Sequence, residues 1–386
     1  MAEGAALEML CTLTGTGGSN PSLSAIFGTA ALRDLEHLIT MHQMIINGTT
    51  VSISPGMTVS AAARSVGIPI PALCHRDGLH PSGGCGVCTV EDVATGRLLP
   101  ACASRADDAM RIETHSERAR AHRKAALELL LGNHPADCEA PCQMACPSGL
   151  PIPELLRLVA DARWEAAEAL AQHYPVNCGH APCEKVCRRK PLDGAVAICA
   201  IHRLLAGPAE MSPTPPPGHA PRRHRTTDAP RFRSRMTGLP EAVLLSLARE
   251  KGARAELSAN ETFTRQHAMY EGARCLQCGC RKADDCRLRD LCAEAGARQA
   301  TFAGERSAVV RGGDGRGFAF DASRCVLCGL CVRTAEAMGA SVAPTFRGRG
   351  FNAHIAPPLG RVWRDIEPEV LAACAASCPT GAMVSP

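Results

Sequence analysis

Cys325, Cys328 and Cys331 form a C-x2-C-x2-C triplet in SRCVLCGLCVRTAEAMG, and Cys378 stands before proline in AACAASCPTGAM. Three thiolates on one turn, completed by a distant Cys-Pro, form the ligand pattern of a [4Fe–4S] cluster. The position four after Cys331 is Ala335, and only Cys374 and Cys378 remain downstream. One cluster is therefore expected here, with Cys374 left over. A second pattern is Cys74, Cys85, Cys88 and Cys102 in ALCHRDGLHPSGGCGVC and LLPAC. Four thiolates with Gly83, Gly84 and Gly86 between them suit a [2Fe–2S] cluster, because glycine lets backbone N–H groups approach the sulfurs. A zinc ribbon would need two C-x2-C pairs, and only Cys85/Cys88 is one.

Two further groups are denser. EGARCLQCGCRKADDCRLRDLC carries Cys275, Cys278, Cys280, Cys286 and Cys292, too many thiols in so short a stretch for packing alone. Its C-x2-C and C-x5-C pairs admit either a [4Fe–4S] cluster or zinc. NHPADCEAPCQMACP and NCGHAPCEKVCRR hold His134, Cys138, Cys142, Cys146, Cys178, Cys183 and Cys187, with Cys199 and His202 just beyond. His134 and His202 are either ligands or ordinary surface residues.

The chain has 22 cysteines in 386 residues but only 3% aromatic residues. So few rings leave a thin apolar core, and metal–thiolate bonds are the natural staple. Lys+Arg 42 against Asp+Glu 38 gives no nucleic-acid or polybasic signature. No apolar run approaches the roughly 20 residues of a bilayer span. MAEGAALEMLCTLTGTGG lacks a charged n-region and apolar h-region, so a cytoplasmic, reducing location is expected and disulfides are not.

Elements must hold these cysteines in place. QMIINGTTVSI reads as two strands around Asn47-Gly48. Thr58 caps a helix through VSAAARSV that Gly67 stops. VCTVEDVATGRLLPAC reads as a second hairpin turning at Ala94–Gly96. A helix follows from Ser116 to Leu131, and PELLRLVADARWEAAEAL reads as two short helices. Residues 207–235, with PTPPPGHAPRRHRTTDAPRFR, read as an extended Pro/Arg-rich linker, and GLPEAVLLSLAREKG as a short helix. The expected fold class is α+β and multidomain. It comprises a flexible extension (1–40), a β-grasp [2Fe–2S] ferredoxin domain (41–115) and an α-helical double-cluster domain (116–206). After the linker (207–258) come a Cys-rich [4Fe–4S] module (259–300) and a C-terminal bacterial-ferredoxin-like [4Fe–4S] domain (301–386).

The motifs carry family resemblances. Residues 43–115, with C-x10-C-x2-C-x13-C, resemble the [2Fe–2S] domain at the front of the large iron–sulfur subunit of complex I and of iron-only hydrogenases. His134-x3-Cys138 resembles the histidine-ligated [4Fe–4S] site that follows it, although the later spacing is x3 and x3 rather than x2 and x5. APCQMACPSGLPIPELLRLV and CGHAPCEKVCRRKPLDGAVAI resemble the helical two-cluster domain of the glutamate synthase small subunit and dihydropyrimidine dehydrogenase. That resemblance implies one [4Fe–4S] site of Cys138, Cys142 and Cys187, with His134 as fourth ligand because Pro135 occupies the usual position. It implies a second of Cys146, Cys178 and Cys183, completed by His202 or Cys199. RCLQCGC resembles flavin-containing relatives that work beside formate dehydrogenases, and implies Cys275, Cys278, Cys280 and Cys286 as ligands; Cys292 departs from that pattern, as a spare or a substitute.

Those relatives carry an FAD- and NAD(P)-binding region before the later cysteines. Here no G-x-G-x-x-G stands in that place, so no flavin or nicotinamide site is expected. The expected cofactors are one [2Fe–2S] and about four [4Fe–4S] clusters. The expected role is single-electron relay between a flavoprotein subunit and a catalytic metalloenzyme subunit such as a formate dehydrogenase or hydrogenase. No substrate site is found in the chain. The alternative is an iron–sulfur redox or iron sensor acting through Arg222, Arg223, Arg225, Arg231, Arg233 and Arg235, a stretch with Phe232 as its one aromatic and so not a nucleic-acid patch. FRGRGF at Phe346–Phe351 resembles an RNA-binding box, but it also resembles a stretch beside the last cluster in the formate-dehydrogenase-associated relatives, and that resemblance, the preferred one, places it beside the last cluster.

Overall fold

The structure is a computed structural model that describes residues 42–134, 138–174, 179–207, 240–251, 263–302 and 309–385. The N-terminal extension, the Arg-rich part of the linker, Cys11, Pro135 and Cys178 lie outside the described residues.

The first unit is a mixed five-stranded sheet. Strands β1 (His42–Ile46) and β2 (Thr49–Ile53) pair antiparallel around Asn47-Gly48, both at positive φ as a two-residue hairpin turn requires. Helix α1 (Val59–Ser65) is capped by Thr58, whose hydroxyl accepts from the Ala61 N–H. Strands β3 (Thr89–Asp92) and β4 (Arg97–Pro100) form the second hairpin, and β5 (Arg111–Glu113) joins β1 in parallel and β3 antiparallel. The order is β2-β1-β5-β3-β4. Met44, Ile46, Val51, Val90 and Ile112 face one side and bury against Val59, Ala62 and Ala63 of α1. Helix α2 (Glu117–Gly132), capped by Ser116, leaves this sheet but remains tied to it by Arg123, whose Nε donates to Thr89 O at 2.7 Å.

The second unit is helical. It contains α3 (Pro141–Ala145), α4 (Ile152–Ala160), α5 (Trp164–His173), α6 (Pro182–Lys185), α7 (Lys190–Asp193) and α8 (Ile198–Ala206). Helix α9 (Glu241–Glu250) follows, then α10 (Arg265–Ala273) and α11 (Arg287–Glu294). Leu155, Leu156, Val159, Leu170, Ile198 and Ile201 share one core with Ala268 and Cys275. Residues 263–280 thus belong in space to the helical unit, although the sequence sets 259–300 apart as a module of its own. The reason is a close approach: at Gly272 a Cβ would stand 2.8 Å from Leu156 O, so only glycine lets α10 lie against α4. A buried charge network fixes the join. Arg274 pairs with Glu271 at 2.7 Å and Asp193 at 3.2 Å, and Arg189 pairs with Asp193 and donates to Arg274 O.

The C-terminal unit pairs β6 (Arg311–Gly313) and β7 (Ala319–Asp321) with the last strand, and holds α12 (Leu330–Ala337). It continues through β8 (Thr345–Arg347), β9 (His354–Ala356) and α13 (Pro368–Ser377) to β10 (Met383–Val384). Its core draws on the scarce aromatics: Phe318 and Phe320 lie 5.3 and 4.8 Å from the Trp363 ring. Among the described residues no helix is long and apolar enough to cross a membrane.

Candidate iron–sulfur sites

Cys74, Cys85, Cys88 and Cys102 converge at the edge of the sheet. Cys74 accepts from the Cys102 and Cys85 thiols, which lowers its pKa, and Cys88 is lowered by the Cys102 thiol. The two donors shift upward for the same reason. Cys74, Cys88 and Cys102 are buried. The Val87 N–H points to the Cys85 sulfur at 3.5 Å, across Gly86 at φ 69°. At Gly86 a Cβ would press within 2.9 Å of Ala126 on α2, so the loop hugs the helix only as glycine.

Cys325, Cys328, Cys331 and Cys378 line one cavity together with Phe320, Ile355 and Met383. The Leu327 N–H points to the Cys325 sulfur at 3.4 Å. Leu327 has φ 52°, a left-handed conformation costly for a non-glycine residue. Cys374 stands apart: it is fully buried, and its thiol donates to Cys331 O at 3.3 Å. In FRGRGF, Phe346 packs over Gly329, where a Cβ would meet its ring at 3.2 Å.

The middle cysteines are grouped differently in space than along the chain. Cys142 and Cys187 line a cavity whose other two thiols are Cys275 and Cys278. Cys138 is not among its lining residues, and neither are Cys280 and Cys286. The physical reason is the packing of α10 on α4, which delivers the C-x2-C of RCLQC to the PCQMAC helix about 130 positions upstream. The Gln277 N–H points to the Cys275 sulfur at 3.4 Å, with Gln277 at φ 50°. This repeats the turn at Leu327: two C-x2-C segments, unrelated in position, adopt one strained conformation. Burial pushes the Cys275 thiol up to about 12. A metal that binds here must displace protons, which a multivalent iron core does.

Cys146, Cys183 and Cys199 share the helical core, and the Cys183 and Cys199 sulfurs lie 3.8 Å apart. His202, one turn further on α8, is turned away from ligation through Nε2. That nitrogen donates to Tyr174 O at 2.8 Å and to Ala171 O at 3.2 Å, and burial lowers its pKa. Between the two alternatives for this site, the geometry favours Cys199. His134 is buried at the end of α2, its carbonyl accepting from Gln299 at 2.7 Å.

Basic side chains bind the ligand loops to one another. Arg333 on α12 donates to Cys74 O at 2.7 Å, Cys328 O at 2.9 Å and His80 O at 2.5 Å. Arg324 donates to Gly279 O at 3.2 Å, and Lys282 to Cys378 O at 2.8 Å. No local pattern marks these three residues, since each acts on carbonyls remote in the chain. Among the described residues no three His, Cys, Asp or Glu side chains converge on the point a single metal ion would occupy.

Residues 40–117 match the family model of a 2Fe-2S iron-sulfur cluster binding domain. The chain is 35% identical over 96 residues to the mitochondrial NADH-ubiquinone oxidoreductase 78 kDa subunit of Candida albicans, which covers 25% of this chain and 13% of that one. It is 36% identical over 98 residues to NADPH-Fe(3+) oxidoreductase subunit alpha of Geobacter sulfurreducens, again 25% of this chain and 12% of the relative. The chain thus spans about an eighth of the length of the curated relatives it matches. A chain of the NAD+-reducing [NiFe]-hydrogenase in the H2-reduced state aligns over 89% of this chain and 87% of that one. Its TM-score of 0.49 at 17% identity is too loose to carry an argument. The N-terminal unit is therefore a [2Fe–2S] domain of a kind found in oxidoreductase subunits.

Proposed function

We propose that this chain is the electron-relay subunit of a multi-subunit oxidoreductase. It passes single electrons through one [2Fe–2S] and four [4Fe–4S] clusters. The observation that carries the reading is Arg333, whose guanidinium bonds at once to the carbonyls of Cys74 and Cys328. The first and last cysteine groups of the sequence are thereby neighbours, as a relay needs, because electron transfer falls off steeply with distance.

Within this reading, Cys74, Cys85, Cys88 and Cys102 hold the [2Fe–2S] cluster. Cys325, Cys328, Cys331 and Cys378 hold one [4Fe–4S] cluster, and Cys142, Cys187, Cys275 and Cys278 another. Cys146, Cys183 and Cys199 hold a third, with Cys178 carried over from the sequence pattern. Each cluster supplies one-electron chemistry. The protein holds the thiolates, aims N–H groups at their sulfurs and excludes water, which together set the potential. The N–H groups of Val87, Gln277 and Leu327 serve that purpose at three sites.

The partners that fit are a flavin NAD(P)H-oxidising subunit at one end and a catalytic metalloenzyme subunit, such as a hydrogenase or formate dehydrogenase, at the other. The oxidoreductase relatives of the N-terminal unit support this assignment. Anaerobic purification with iron and sulfide counts, followed by a reductive EPR titration, tests the reading. About 18 iron atoms per chain are expected, from one two-iron and four four-iron clusters. Zinc in place of iron, or two irons only, would overturn it in favour of a sensor with a single labile cluster.

A further inference from the structure

The segment Cys278-Gly279-Cys280 is a loop that bends at Gly279, so Cys278 and Cys280, which a regular strand would place on one face, are free to point apart. Cys278 faces the cavity it shares with Cys142, Cys187 and Cys275. Cys280 does not line that cavity, and its sulfur lies so close to Gly381 that a Cβ there would collide with it. Its backbone N–H donates to Cys138 O at 3.1 Å, which draws Cys138 to the same side. At Gly279 a Cβ would come within 3.1 Å of the Ala140 N, so this loop packs closely against the start of α3.

Cys286 and Cys292 complete the surroundings. Cys286 precedes the first residue of α11, is buried, and its thiol points to Pro379 O at 3.7 Å, within the same 378–381 loop that Cys280 touches. Cys292 lies later on α11 and is 1% exposed. The two share an apolar cluster with Leu127 and Leu131 at the end of α2, the helix that leads to Cys138. Arg289 on the same helix donates to Ala283 O at 2.8 Å, three residues after Cys280, so the segments that carry Cys280, Cys286 and Cys292 pack together, and Cys138 is joined to them through its carbonyl. Positive charge is at hand to balance thiolates: Arg289 on α11 is 2% exposed and pairs at 2.7 Å with Glu139, the neighbour of Cys138.

We infer that Cys138, Cys280, Cys286 and Cys292 bind a separate [4Fe–4S] cluster, back to back with the one held by Cys278 and beside the one held by Cys378. The site rests on the relay reading above. It removes Cys138 from the group of Cys142 and Cys187, removes Cys280 and Cys286 from that of Cys275 and Cys278, and gives Cys292 a role. Of the 22 cysteines, 20 then fall into five sets of four, and Cys11 and Cys374 remain.

The test compares iron content and low-temperature EPR of the dithionite-reduced full chain in C292S, C280S, His134→Ala and C374S variants, each purified anaerobically. C292S and C280S are expected to lose about four iron atoms and the same one [4Fe–4S] signal, with the [2Fe–2S] signal intact as a measure of correct folding. C374S and His134→Ala should keep the full iron content. If His134→Ala loses that signal and C292S keeps it, histidine is the ligand and the inference is overturned. It is equally overturned if wild type holds about 14 iron atoms, or zinc at this site, while the other clusters are present. The relay reading would survive that outcome and would fail only if those clusters too were missing.

Discussion

At the residue scale, Arg333 joins the two ends of the sequence. Its four donated hydrogen bonds go to backbone carbonyls, two of them belonging to proposed cluster ligands. A fixed cation beside both sites favours their reduced, more negative states. Arg333→Met should lower both midpoint potentials, by about 1 kcal/mol or roughly 40 mV for a one-electron couple at an effective dielectric near 20. Arg333→Lys should keep most of the potential but broaden the [2Fe–2S] EPR lines, because a point charge cannot span the four carbonyls. Redox-poised EPR reads both effects, and unchanged potentials in Arg333→Met would show that the guanidinium only fastens the loops. Leu327 offers a second residue-scale test. Its φ of 52° is costly for a side chain unbranched at Cβ, as leucine is, and more so for a β-branched one. Leu327→Val should destabilise the C-terminal unit by about 1–2 kcal/mol, seen as a lower thermal midpoint, whereas Leu327→Asn should not.

At the scale of elements, the decisive contact is α10 against α4, because it brings Cys275 and Cys278 to Cys142 and Cys187. Arg274 anchors it: the side chain is 1% exposed and is shared by Glu271 and Asp193. Arg274→Leu leaves the buried Glu271 carboxylate without its partner and should cost about 3–5 kcal/mol. Denaturant unfolding should record that loss, together with release of the iron proposed to be held by Cys275. The network also carries a pH dependence. The hydrogen bond from Arg189 is the main cause that holds the Asp193 carboxyl below its ordinary value of 3.8, with Arg189 and Arg274 charges adding to it. Stability from this group is complete above that ordinary value and is lost as pH falls through the lower folded one. The gap in unfolding midpoint between wild type and Asp193→Asn should therefore be widest near neutral pH and should narrow as pH falls below about 4. A gap that stays constant would mean that Asp193 acts through packing alone.

At the scale of the whole molecule, spatial order departs from sequence order. The [2Fe–2S] unit touches the C-terminal unit through Arg333, the C-terminal unit touches the Cys280 segment through Lys282 and Arg324, and that segment backs onto the helical unit through Cys278. In the proposed relay, electrons entering at the N-terminal cluster have two neighbouring exits, the last cysteines of the chain through Arg333 and the Cys286 and Cys292 group that packs with Cys85, Leu73 and Val87, while the cavity of Cys142 and Cys187 lies further on. Loss of the C-terminal cluster, as in Cys328→Ser, should therefore slow reduction of the helical-unit clusters by a donor that reduces the [2Fe–2S] site first. Freeze-quench EPR would register the delay, and an undisturbed rate would indicate a direct path along α2.

The chain's own order of residues determined the ligands that are local. The triplet Cys325, Cys328 and Cys331 lies on one turn, and Cys74, Cys85 and Cys88 on one loop, so spacing alone implied a common centre. The hairpin at Asn47-Gly48 and the caps Thr58 and Ser116 were legible for the same reason, because turn and cap chemistry acts within a few residues. What only the tertiary structure decided is which half of Cys275–Cys292 goes where. RCLQCGC reads as one group along the chain, yet Cys278 lines the cavity of Cys142 and Cys187 while Cys280 lies against Gly381, and the helix α10 that precedes them is docked far upstream by burial and by Arg274. Burial is non-directional and acts between residues remote in sequence, so the pairing of Cys275 with Cys142, of Cys280 with Cys138 and of Arg333 with Cys74 left no mark on local spacing.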